Sequence, residues 1–159
     1  MLFFLSAAEY SNIQNNTTKV KVHLTGGVAE ILDQHQDLMG RIDNDIIEIE
    51  TSFENRLEKL LFVLQDAVFV VSNKGLGADK EKNRTAIYVY AKRAKEISSN
   101  VSMDEISKQY ENTVKQLENL KEKELIDSTN RLLKSKVLLV EEEVNFLIKM
   151  MAVVKRLKG

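Results

Sequence analysis

Apolar residues change their spacing part-way along the chain. Up to about residue 72 they fall in short runs that alternate with polar positions, as in Lys19-Val20-Lys21-Val22-His23-Leu24 and Ile47-Glu48-Ile49-Glu50, the period of half-buried strands. Beyond residue 78 they step by three and four, the period of amphipathic helices. The pattern predicts an α+β protein. An N-terminal antiparallel β-sandwich spans residues 1–77, and a C-terminal α-helical hairpin with a long second helix spans residues 78–159.

Turn-forming residues divide the first half: Asn15-Asn16, Gly26-Gly27, Asp43-Asn44-Asp45, Gln65-Asp66 and Ser72-Asn73 lie close enough together to require hairpins. The apolar opening Met1 to Leu5 reads as a strand, too short for a signal-peptide core or a membrane span. Leu57 to Leu64 and Ala67 to Val71 read as two strands joined by a tight turn at Gln65-Asp66. Within the first of them, Leu60-Leu61-Phe62-Val63-Leu64 is apolar on both faces, which suggests burial between the core and a partner.

In the second half, Ala86, Ile87, Tyr90, Ala91, Ala94 and Ile97 share one face of a helix over about residues 79–98, with Lys92, Arg93, Lys95 and Glu96 opposite. Ser102 followed by Glu105 forms a capping box that starts a second helix over 103–157. Its apolar phase slips near Leu125-Ile126-Asp127-Ser128 and resumes as a near-heptad seam through Leu133, Val137, Val140, Val144, Leu147, Met151 and Val154. Unbroken, such a helix would be about 80 Å long, so it either projects or folds back at Asp127-Ser128. Leu138, Leu139, Phe146 and Ile148 widen the stripe beyond a dimer seam. Val140, Val144, Leu147 and Met151 are therefore candidate contacts to a partner helix, and an ordinary bundle helix would account for the same pattern.

Charge sharpens the division. Residues 1–78 carry six Lys/Arg against eleven Asp/Glu and residues 79–159 carry seventeen against thirteen, so net charges of −5 and +4 sum to the overall −1. Near-neutrality argues against general nucleic-acid binding. Zero cysteines exclude disulfides and thiolate metal sites, and two histidines, His23 and His35, do not make a His-rich metal site. His23 lies between Val22 and Leu24 and faces solvent if the valines point inward. Gly26-Gly27 and Gly75-Leu76-Gly77 lack the residues of a phosphate loop and read as turns. With no nucleophile, general base pair or cofactor loop, neither catalysis nor a cofactor is expected.

Three segments resemble the epsilon subunit of F-type ATP synthases, called delta in mitochondria. Leu5-Ser6-Ala7-Ala8-Glu9 stands where that family carries Val-Ser-Ala-Glu at the end of its first strand. The family's Gly-x-x-Gly-Ile-Leu-Pro-x-His-x-x-Leu-x-x-x-Ile is matched in register by Gly27, Ile31, Leu32, His35, Leu38 and Ile42, and Asp43-Asn44-Asp45-Ile46-Ile47-Glu48-Ile49 is similar to its next turn and strand. The likeness runs from the N-terminus to about residue 120. Glu30 replaces the second glycine and Asp33 the proline of a loop that in the family lies near the membrane ring. Aligned on Arg93-Ala94, Asn83 and Ala86 replace the aspartate and first arginine of the ATP-binding pattern in some bacterial relatives, so no ATP site is expected.

The resemblance implies a non-catalytic central-stalk (rotor) subunit, cytoplasmic and peripheral to the membrane. Its partners would be the gamma shaft, the catalytic-head alpha and beta subunits, and a membrane ring or an added subunit. It marks His35, Arg93 and Lys95 as contact candidates. The second helix runs well past the family's usual end, where Lys149, Lys155, Arg156 and Lys158 are candidates by charge alone. A specialised F-type-like motor, for example in a mollicute with an AT-rich genome, and a free-standing coiled-coil adaptor are the alternatives.

Overall fold

A computed structural model describes residues 1–74, 84–98 and 100–159. Among these, seven strands form one sheet: β1 (Leu2–Ala7), β2 (Tyr10–Gln14), β3 (Thr17–Leu24), β4 (Gly27–Leu32), β5 (Leu38–Phe53), β6 (Arg56–Ser72) and β7 (Ala86–Glu96). Their order is β2-β1-β7-β6-β5-β3-β4. All neighbours are antiparallel except β1 and β7, which run parallel, so the sheet is mixed.

Alternation puts the larger apolar residues of each strand on one side. Phe3, Leu5, Val20, Val22, Ile31, Ile47, Ile49, Phe62, Leu64 and Phe69 are buried in a single core. The sheet folds over that core as a sandwich. Its two ends meet where the Met1 amino group donates to the Thr17 carbonyl at 2.8 Å and Thr17 N–H donates to the Met1 carbonyl at 3.1 Å.

β5 and β6 run 16 and 17 residues without the breaks expected at Asp43-Asn44-Asp45 and Gln65-Asp66. Pairing keeps register on both sides, with Ile42 opposite Ala67 and Asn44 opposite Gln65. What the polar residues produce is a shared kink. Inward positions are three or five apart across it, Leu64 to Ala67 on β6, Ala91 to Ala94 on β7 and Ile42 to Ile47 on β5, an odd spacing that strict alternation forbids. One extra residue in each of three adjacent strands flips the facing while preserving register. Asp66 supplies it on β6 with φ +48°, a left-handed conformation that Asp tolerates better than most residues, and Arg41 bridges Asp43 at 3.0 Å and Asp66 at 3.1 Å over the kink.

The expected first helix is a strand. Residues 84–98 carry β7, hydrogen-bonded between β1 and β6, and the stretch 79–83 with Gly75-Leu76-Gly77 lies outside the described residues. Ala86, Ile87, Tyr88 and Val89 are all buried, on alternating faces. A central strand covered on both sides loses its polar alternation, and apolar residues at 86, 87, 90, 91, 94 and 97 then mimic a helical stripe. The β-branched and aromatic run Ile87-Tyr88-Val89-Tyr90 is the signal that favours a strand. The compact units are consequently Met1–Ser98 and Ser99–Gly159, not 1–77 and 78–159.

The second unit is a helical hairpin. Of the two courses expected for the helix over 103–157, the chain takes the fold-back: α1 (Met103–Ile126) and α2 (Arg131–Lys158) are separated by a turn over 127–130. The Ser102 hydroxyl accepts from Glu105 N–H, and Asn130 Oδ1 accepts from Leu133 N–H, capping both N-termini. Lys121 pairs with Glu141 at 3.3 Å, and the Ser107 hydroxyl lies 3.9 Å from Met151 Sδ, so the helices are antiparallel. Among the described residues, no helix is long and apolar enough to cross a membrane.

Candidate partner-binding surfaces

His35 sits in the loop between β4 and β5, which a hydrogen-bond network ties to the start of β7. Gln34 takes φ +63°, and its N–H donates to Thr85 Oγ1 at 2.6 Å. The Thr85 hydroxyl donates to Asn73 Oδ1 at 2.7 Å, Asn73 Nδ2 donates to the His35 carbonyl, and Asn73 N–H donates to Asp37 Oδ1 at 2.9 Å. Thr85 is buried, so its hydroxyl stabilises the loop from inside. His35 is therefore held by its backbone, leaving the imidazole half-buried with Nδ1 2.8 Å from the Gln36 carbonyl. Leu32 and Met39, 51% and 73% exposed, flank the loop.

Arg93 and Lys95 do not lie on a helix. Both are on β7, Arg93 half-buried and Lys95 exposed. Thr85, which anchors the His35 loop, is eight positions from Arg93, about 26 Å along an extended strand. His35 and the two cations therefore mark opposite ends of the sandwich. Val140, Val144, Leu147 and Met151 all lie on α2, Leu147 buried and the other three half-buried. Because Met151 meets Ser107 of α1, the seam expected to take a partner helix is used inside the hairpin at that position.

Charge on the sandwich is organised in cross-strand pairs. Lys19 and Lys59 both approach Glu50, at 3.2 and 3.7 Å; Lys21 meets Glu30 at 3.2 Å and His23 Nε2 meets Glu48 at 2.7 Å. The hydrogen bond from Lys19 holds the Glu50 carboxyl below its ordinary pKa, and Glu30 raises that of Lys21. These pairs face solvent and contribute little to stability each; opposite charges across strands instead fix register.

At the β2 edge the Tyr10 hydroxyl donates to Glu96 at 3.1 Å and accepts from Asn12 at 3.3 Å. Burial is the main cause that raises the phenol above its ordinary value of 10.0; the Asn12 hydrogen bond opposes it and Glu96 adds to it. The folded protein thus favours neutral Tyr10, and stability declines as pH rises from about 10 toward the folded-state value. Denaturation midpoints taken in steps between about pH 9 and 11 should show a shallower decline for Tyr10→Phe than for the natural chain. Equal slopes would mean that Tyr10 ionises as freely folded as unfolded.

One surface escaped the sequence reading because it depends on β7 being a strand. Phe4 of β1 pairs with Ile13 of β2 on one side and Tyr88 of β7 on the other; Tyr88 pairs with Val70 of β6, and Val70 with Met39 of β5. This row points away from the core, since Phe3, Leu5, Ile87, Val89, Phe69 and Val71 point into it. The signal was available in Ile87-Tyr88-Val89-Tyr90, whose aromatic residues alternate with core residues.

No protein-family model and no curated protein matches the chain. Solved structures do. One chain from the cryo-EM structure of the Euglena gracilis mitochondrial ATP synthase (OSCP, F1 and c-ring in rotational state 1) is similar over 96% of this chain and 79% of its own, with a TM-score of 0.58 at 11% identity. A chain from the central stalk and c-ring of the Tetrahymena thermophila mitochondrial ATP synthase covers 67% of this chain and 69% of its own, with a TM-score of 0.44 at 8% identity. Since the first likeness covers nearly the whole chain, α2 falls within the shared fold and is not an appendage to it. The chain thus has the fold of a subunit found in a mitochondrial ATP synthase: a β-sandwich followed by a helical hairpin.

Proposed function

We propose that this protein is a non-catalytic central-stalk subunit of a rotary F-type or F-type-like ATPase, an epsilon-like subunit (delta in mitochondria), peripheral to the membrane. The observation that carries the reading is the likeness to the Euglena gracilis chain over 96% of the sequence. The motif residues Gly27, Ile31, Leu32, His35, Leu38 and Ile42 add to it, falling on β4, its loop and β5. In this reading the sandwich grips a gamma-type shaft and the His35 loop faces the membrane ring. The hairpin lies beside the shaft, where Lys149, Lys155, Arg156 and Lys158 of α2 meet acidic segments of the alpha and beta subunits and restrain hydrolysis.

Glu30 and Asp33, which alter the ring-facing loop, favour a second reading: a specialised motor of the same build, not used for synthesis. Affinity purification of the tagged full chain from its own cells tests both. A gamma-like shaft with ring and stator proteins is expected for a synthase; a head complex with other partners indicates the specialised motor. A preparation lacking any shaft protein would sink the stalk reading altogether.

A further inference from the structure

The outward row of the sheet is unusual for a water-facing surface. Ile13 is 57% exposed and Met39 73%, and next to the row Tyr90 and Val68, themselves a cross-strand pair, are 51% and 43% exposed. Exposed apolar residues thus lie at the ends and along one flank of the row, while Phe4 and Val70 are half-buried and Tyr88 is buried at its middle. Exposed apolar side chains gathered on one face mark a contact surface more often than a solvated one. The aromatic members are already ordered by one another. The Phe4 ring lies 6.2 Å from Tyr88 and 6.1 Å from Tyr90, both in inclined geometries that favour ring edges on faces.

At one end the row opens into a groove of about 400 Å³ whose lining includes Leu2, Phe4, Tyr88 and Arg84. Arg84 carries the only formal charge among the described lining residues. Its Nε is buried with no hydrogen-bond partner. A guanidinium N–H withdrawn from water without an acceptor is costly, and an acceptor brought by a second molecule would remove the cost. Tyrosine and arginine are the residue types that most often dominate binding energy at protein interfaces.

We propose that this face binds an apolar segment of another protein, and that the segment carries a carboxylate that accepts from Arg84. The apolar row supplies desolvation and area, and Arg84 supplies register and selectivity: a segment lacking the carboxylate leaves Nε unpaired. The surface follows from the sheet itself and adds to the stalk reading the chemistry of one contact.

The test uses the tagged full chain, free and in the complex isolated with it from its own cells. Hydroxyl-radical footprinting reads Met39 and Tyr90, and phenylglyoxal labelling reads Arg84. All three are expected to be protected at least about tenfold in the complex. Arg84→Gln should weaken binding to the captured partner about tenfold or more with no loss of thermal midpoint in the free chain, and Arg84→Lys should recover only part of the loss of binding. A chain that comes down alone would overturn the proposal. So would equal labelling in both states, protection that depends on the free chain's own concentration and thus reports a second copy, or unchanged binding by Arg84→Gln. Mass spectrometry of the partner reads the stalk assignment separately: a non-ATPase partner protected at these residues would defeat that assignment and leave the contact standing.

Discussion

Replacing Phe62 by alanine is expected to cost the protein about 3–5 kcal/mol of folding stability. The side chain is fully buried, with its ring 6.3 Å from Phe3 of β1 and 6.0 Å from Tyr10 of β2. These contacts do not follow the hydrogen-bonded rows, because β7 stands between β1 and β6 in the sheet. They cross the core and tie the sheet's folded-over part to its centre. Alanine would leave a cavity the size of an aromatic ring between strands that backbone pairing prevents from collapsing inward. The loss is a large fraction of the stability an ordinary domain possesses. Urea denaturation of the full chain, with Phe62→Leu beside it, measures the loss; a value under about 1 kcal/mol for Phe62→Ala would mean that the core relaxes freely.

The second large effect comes from Gly40 of β5. Glycine inside a strand is ordinarily a weak point, and alanine would improve it by about 0.5–1 kcal/mol. Here the sign reverses. A Cβ on residue 40 would lie 2.5 Å from Cε1 and 2.6 Å from Cζ of Phe69, a ring that is itself 1% exposed and enclosed by the core. Gly40→Ala is therefore expected to destabilise by about 1–3 kcal/mol, as overpacked cores do. If the ring is the cause, Phe69→Leu in the same chain should recover part of that cost. A double-mutant cycle on denaturation midpoints measures the coupling, and additive effects would rule out the ring as the source.

Much of the sandwich was legible locally. Val20 and Val22 flanked by lysines face the core as alternation requires, His23 faces outward against Glu48, and Asn15-Asn16 and the Gly26 region turn the chain. The Ser102 cap was readable because capping is chemistry between residues three apart. Polar residues misled where their job was to kink a strand and not to end it: Asp43 and Asp66 look like turn formers, and only pairing with β5 and β7 on its two sides keeps β6 continuous, as pairing with β6 does for β5.

Among the candidate contacts, position followed secondary structure. Arg93 and Lys95 moved from a helix to a strand with β7, and the length once assigned to an extended second helix became α1 and α2 of the hairpin itself. The phase slip near Asp127-Ser128 was visible, yet the choice between a rod and a fold-back rests on Lys121 meeting Glu141 and Ser107 meeting Met151.

Local chemistry was thus enough to establish the α+β order, the alternating inward residues of β3 and the Ser102 cap, since each depends on residues a few positions apart. Tertiary contact alone established that residues 86–96 are a strand, that three strands kink together, and that Ile13, Phe4, Tyr88, Val70 and Met39 share one row. The physical reason is common to all three. A central strand is stabilised by hydrogen bonds to partners distant in sequence and covered on both faces, so neither its periodicity nor its neighbours along the chain record what it pairs with.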